Sequence, residues 1–173
     1  MFSKTDIEKY FNAEKNASLL FITIGAAAII AAIIFFFFSK TYFYKGAAIP
    51  LLVIGLLVGI VGFTVYKRSD ADRIRNVYAY DLNPAELKQK EIPRMQTVMK
   101  NFIVYRYVEI LLALVGIGLF FYFKNNDAMQ LWKGFGLTLT IMALLALTAD
   151  YFAAQRGEVY SKGLQSFIEQ KFK

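Results

Sequence analysis

Two side chains that could do chemistry stand where charge is costly. The stretch NFIVYRYVEILLALVGIGLFFYF, residues 101–123, is apolar enough to cross a bilayer, yet its first half carries Arg106 and Glu109. If the hydrocarbon begins near Asn101, Arg106 lies about 8 Å deep and Glu109 about 12 Å deep. A lone charge at mid-helix costs at least roughly 2.5–3.5 kcal/mol there. Arg106 is long enough to snorkel back to the interface. Glu109 is not. The two lie about 60° apart on a helix and share a stripe with Met99, Phe102, Ala113 and Gly116.

The last apolar block supplies a partner. It returns antiparallel through a turn near Asp127 and Ala128, so residues at equal depth have numbers summing to about 255. Arg106 is then level with Asp150, and Arg106, Glu109 and Asp150 are expected to form a buried charge cluster, with Tyr105 or Tyr151 able to donate to the carboxylates. One cation between two carboxylates leaves a negative charge over. Protonation, a bound cation or a basic residue of a partner would each meet it. The cluster could therefore fix helix packing, pass ions or protons through Glu109, or contact another protein.

Little else points to catalysis. The chain has no histidine and no cysteine, which removes disulfides, thiol nucleophiles, the usual zinc sites and the commonest general base. No glycine-rich phosphate loop is present. Asp70, Asp72, Asp81, Glu86 and Glu91 are scattered, and Asp70 and Asp72 read as residues that cap and solvate a helix start. No enzyme activity, metal or cofactor is expected. The net charge of +7 comes without a nucleic-acid-reading motif and sits in segments flanking apolar blocks, so nucleic acid is not an expected partner.

The elements that position these residues are four apolar blocks, at about 18–38, 47–66, 101–123 and 129–152. Each approaches the ~20 residues needed to cross a hydrocarbon core. The first is too long for a signal peptide and follows a charged segment. The fold class is thus an all-α membrane protein, a four-transmembrane-helix bundle of two hairpins, with residues 1–173 as one integral membrane domain. Fifteen Lys and Arg fall in the N-terminal segment, the 67–100 loop and the tail; four, Lys40, Lys45, Lys124 and Lys133, fall on the opposite side. That asymmetry predicts a bacterial inner-membrane protein with both termini and the 67–100 loop in the cytoplasm.

The cytoplasmic parts are predicted to be helical. Segments 1–17 and 156–173 read as amphipathic helices on the membrane surface, the first opened by Thr5 as N-cap with Glu8 and carrying Ile7, Tyr10 and Phe11, the second carrying Val159, Leu164, Phe167 and Ile168 and weakened by Gly163. In the loop, helix continues past span two, Asn83 and Pro84 start a second piece, and Pro93 interrupts it. Gly55, Gly59 and Gly62 form a GxxxG face in span two, opposite Gly25, Ala28 and Ala32 in span one. Ala143 and Ala146 lie on the small face shared by Asp150.

A weak tandem repeat is also visible: IIFFFFSK against GLFFYFK, and Lys45-Gly46 against Lys133-Gly134. Taken together these features predict a non-catalytic protein that binds a membrane protein or a membrane-active polypeptide. An immunity protein against a membrane-targeting toxin and an accessory subunit of a membrane complex would both fit, with homo-oligomerisation open. The alternative is a small oligomeric cation or proton channel or transporter built around Glu109.

Overall fold

A computed structural model describes residues 2–172 of the chain. It is helical throughout. Helix α1 spans Lys4–Phe38, α2 Tyr42–Leu82, α3 Pro84–Glu86, α4 Ile92–Phe123 and α5 Gln130–Lys171, with a π turn over Leu87–Glu91 joining α3 to α4 and a 3-10 turn at Asp127–Met129. Four stretches are long and apolar enough to cross a membrane: α1, α2, the continuous run Pro84–Phe123, and Asp127–Lys171.

The helices extend well beyond the apolar blocks. Of the segment expected as a separate surface helix over 1–17, the part from Lys4 on is instead the first turns of α1. Ser3, not Thr5, is its N-cap: the Ser3 N–H and Oγ both donate to Asp6 Oδ2, at 2.9 and 2.8 Å. Ile7 and Phe11 do not face outward but are 0% and 1% exposed in a core. The expected surface helix over 156–173 is likewise the end of α5, with Leu164 and Ile168 in that same core and Val159 exposed. Gly163 does not break it. The cost of one helical glycine, about 1 kcal/mol, is small beside the burial of the flanking apolar side chains.

Pro93 does not interrupt the helix either. Immediately before it the turn widens: the Ile92 N–H reaches the Leu87 carbonyl, five residues back. A proline has no N–H to give and its ring crowds the carbonyl four residues earlier, and a π turn accommodates both. Asn83 ends α2 and opens α3 without a side-chain cap bond.

Close approach is set by glycines. A Cβ on Gly25 would meet the Gly55 carbonyl and the Gly59 backbone, and one on Gly62 would meet Ser18 and Phe21, so α2 runs back along α1 at backbone contact. A Cβ on Gly116 would meet Gly136 and Thr140, and Gly157 lies against Met99, so α5 runs back along α4. The two pairs meet reciprocally at the end opposite the termini. A Cβ on Gly46 would overlap the Leu131 carbonyl, and one on Gly134 would overlap the Phe43 carbonyl. At the other end α1, α2, α5 and the π turn close around one apolar core of Ile7, Tyr10, Phe11, Ala79, Leu87, Met95, Tyr160, Leu164 and Ile168.

Candidate functional site

Two groups of charged residues are brought together, one in that terminal core and one within the apolar stretches. The first is built on the π turn. Leu87, Glu91 and Met95 are all fully or almost fully buried. At four-residue spacing an α-helix turns each side chain about 40° from the last, and the widened turn offsets that drift. Glu91 is thereby carried into the core, 1% exposed. It is well supplied with donors. Arg94 binds it in a fork, Nε to Oε2 at 2.8 Å and Nη2 to Oε1 at 2.6 Å, and the Tyr160 hydroxyl donates to Oε1 at 3.1 Å.

The Arg94 guanidinium also sits 5.5 Å over the Phe11 ring, and Tyr10 stacks on Tyr160 with ring centroids 4.1 Å apart. Around this centre, Arg75 pairs with Asp72 at 2.9 Å and reaches Glu91 at 4.0 Å. Glu14 on α1 accepts from Arg68 at 3.3 Å and Ser69 at 3.4 Å on α2. Arg73 bonds Asn12, and Lys15 pairs with Asp70. Asp70 and Asp72 therefore do not cap a helix start; they lie deep inside α2, and Asp72 is buried.

Burial and charge set the protonation of this node. Burial pushes the Tyr10 and Tyr160 phenols up from their ordinary value, and the Glu91 charge adds to the effect at Tyr160. Burial alone would lower Arg94, but its hydrogen bonds to Glu91 outweigh that and hold it protonated. Glu14 is raised by burial, which exceeds the opposing pull of Arg68. Three buried donor atoms, Arg68 Nε, Arg94 Nη1 and Asn76 Nδ2, have no acceptor among the described residues. The arrangement can lock three helices together by charge; it presents no nucleophile with a base.

The second group is the expected cluster, in altered form. Glu109 and Asp150 do face each other across α4 and α5, near enough for a hydrogen bond between the carboxyl groups. Arg106 does not join them. It is exposed, and among the described residues it has no carboxylate within 4 Å. That exposure holds although Arg106 lies only about 20° from buried Ala113 on the helix, so the shared stripe did not place it in the cluster. Glu109 Oε2 is buried with no hydrogen-bond partner among the described residues. Of the expected packing residues, Gly55 and Gly62 touch α1 as described, a Cβ on Gly59 would meet nothing, Ala143 is buried and Ala146 half-buried.

The Glu91 node was not anticipated, although a signal for it exists. Glu91 and Arg94 stand three apart, between Leu87 and Met95 on a single helical face. Reading Pro93 as a break hid that continuity. Among the described residues no three metal-ligating side chains cluster. The class the structure defines is an all-helical protein with four helices able to cross a membrane. Compared with known proteins, the chain matches no family model, no curated protein and no solved structure.

Proposed function

We propose that this chain is a non-catalytic protein of a bacterial inner membrane that binds another membrane protein or a membrane-active polypeptide through its spans. In this reading two hairpins, related as a weak tandem repeat, cross the bilayer with both termini and the Glu91 node in the cytoplasm. The observation that carries it is how the chain spends its surfaces. At the terminal end ion pairs tie α1 to α2 (Lys4–Asp81, Lys15–Asp70, Arg68–Glu14) and α2 to the π turn (Arg75–Glu91), while only 11–22% of each apolar window is buried within the chain. The extensive surface left is apolar and helical. Without water to drive helices together, such faces associate through packing with lipid or with other spans.

An immunity protein against a membrane-targeting toxin, or an accessory subunit, needs only that surface. The test is co-expression with the product of the adjacent gene. Protection of cells from that product, or its co-purification with the chain in mild detergent, supports the reading. The absence of both protection and co-purification overturns it.

A second reading is favoured by the lone buried oxygen of Glu109 beside Asp150. A carboxyl pair inside a span with one unpartnered oxygen is an element of proton and cation paths. It predicts a proton or cation flux through the purified protein in liposomes that Glu109→Gln abolishes. Equal tightness of both proteins removes it.

A further inference from the structure

Helix α2 carries an apolar ridge out of its apolar block into polar surroundings. Ile74, Tyr78 and Leu82 are 65%, 63% and 67% exposed, and Ala71 beside them is exposed too. Counted from Tyr66, where the second block ends, the three larger side chains stand about 12, 18 and 24 Å further along the helix. A headgroup layer is roughly 5–8 Å thick on each side of the hydrocarbon core, so all three meet water rather than lipid. At 100° per residue the four fall within about 80° of one another, on the side turned away from buried Ser69, Asp72 and Asn76. Ion pairs line both edges: Lys4–Asp81 and Lys15–Asp70 towards α1, and Arg75–Glu91 towards the π turn. An apolar patch that stands in water with a charged rim has the anatomy of a docking surface.

The ridge continues into the apolar block without changing face. Val53, Leu56, Ile60 and Phe63 are 45–62% exposed, and the whole ridge from Val53 to Leu82 stays within about 100° of arc. Its seven larger apolar side chains expose roughly 700–800 Å², the share that each partner gives to a standard interface. The occupant must therefore be apolar at two levels. A partner confined to the bilayer would leave Ile74, Tyr78 and Leu82 wet, and one confined to the cytoplasm would stop at the headgroups. A helix that crosses the bilayer and stays apolar about 24 Å beyond it would cover both, and α2 is itself such a helix. Two copies inserted with one topology meet side by side and parallel. A two-fold axis along the membrane normal then sets each ridge residue against its own counterpart at the same depth. Apolar meets apolar at every ridge level but one. Lys67 lies on the same face at the bilayer surface, where its long side chain can turn aside into the headgroups.

We propose that α2 is a self-association helix: two copies of this chain pair in parallel along the ridge, burying Ala71, Ile74, Tyr78 and Leu82 against their counterparts. The inference rests on the membrane reading above, and it leaves the outer faces of α1 and α4 to other partners.

The chain has no cysteine, so single substitutions report the contact directly. In membranes from cells producing the full chain, Ala71→Cys and Tyr78→Cys should each give disulfide-linked homodimers under mild oxidation, because a disulfide requires Cα atoms within about 7 Å. Gln96→Cys on α4 and Glu158→Cys on α5, both exposed on other faces, should not. In mild detergent, light scattering should report a dimer. Ile74→Asp should weaken it at least about tenfold, and should leave the unfolding midpoint of the monomer unchanged, since Ile74 is exposed within one chain. Lys67→Leu removes the like-charge meeting and should tighten the dimer. A monomer by both measurements, or linkage at Gln96→Cys and Glu158→Cys as strong as on the ridge, overturns the inference and leaves the membrane reading intact. Linkage of Ala71→Cys to a different protein without any homodimer gives the ridge to another partner and also overturns it. Recovery of the protein in the soluble fraction after alkaline extraction of membranes overturns both.

Discussion

Glu91 and Glu109 are carboxylates on one continuous helical run, about five turns apart, and their surroundings differ in kind. Glu91 is almost wholly buried yet receives a forked guanidinium and a phenol, with a second arginine at 4.0 Å. Glu109 is half-buried, faces another carboxyl, and has one oxygen without a partner. The difference lies in what each level can recruit. At the terminal end α1, α2, the π turn and α5 all carry polar residues, so a buried charge can be surrounded. Within the apolar stretches α4 meets only α5, whose contact face is built of Gly136, Thr140 and Ala143. Glu91 has its charge met from several helices, whereas Glu109 faces a second carboxyl and keeps one oxygen without a partner among the described residues.

That contrast is most sharply tested by removing each carboxylate. Glu91→Ala leaves Arg94 buried and unpaired and should cost about 3–5 kcal/mol of stability, read as a fall in the denaturation midpoint. Glu109→Gln keeps the shape and an amide that can donate to Asp150, so it should leave stability unchanged or raise it. If Glu109→Gln proves the more damaging of the two, the distinction between the levels is wrong.

Next in size are the glycines that set helix distance. Gly46→Leu and Gly134→Leu place carbon where a carbonyl of the other helix pair stands, and each should destabilise by at least about 1–3 kcal/mol. Gly59→Ala meets open space and should be tolerated. Similar losses at Gly46 and Gly134 would reflect the reciprocity of their contacts. A loss at one alone would show that only one of these contacts constrains the packing.

The pH profile distinguishes the levels by a smaller effect. The Glu14 carboxyl is raised above its ordinary 4.5 by burial, so its contribution to stability is full below that value and is lost as pH rises through its folded value. Glu14→Gln should remove that part of the slope in denaturation measured against pH. The phenols of Tyr10 and Tyr160 are raised above 10.0, so a second fall should begin near that pH and weaken in Tyr10→Phe.

The smallest expected effect is a coupling of zero. Arg106 is exposed and makes no ion pair with Asp150, so the stability changes of Arg106→Ala and Asp150→Ala should add to within about 0.5 kcal/mol. A larger interaction energy would restore Arg106 to the cluster.

Much of this was legible in residue types alone. Four blocks of bilayer length required four helices, since an apolar chain must satisfy its backbone internally. The small residues Gly25, Gly55 and Gly62 marked where backbones touch, because only a missing side chain allows that approach. Counting rise per residue along antiparallel helices placed Arg106 level with Asp150 and Glu109 about a turn deeper, whereas it is Glu109 that faces Asp150. What spacing could not give was which charged side chains meet: Arg106 shares a stripe with Glu109 and buried Ala113 and is nevertheless exposed.

The sequence by itself determined the helices, their number and their apolar lengths, because composition and the 1.5 Å rise are local properties. Only the tertiary structure decided where the charges go. Glu14, Glu91 and Arg94 look like solvated loop and tail residues until α1, α2 and α5 close over the π turn before Pro93. Burial of a charge depends on neighbours distant in the chain, and no periodicity within one helix records them.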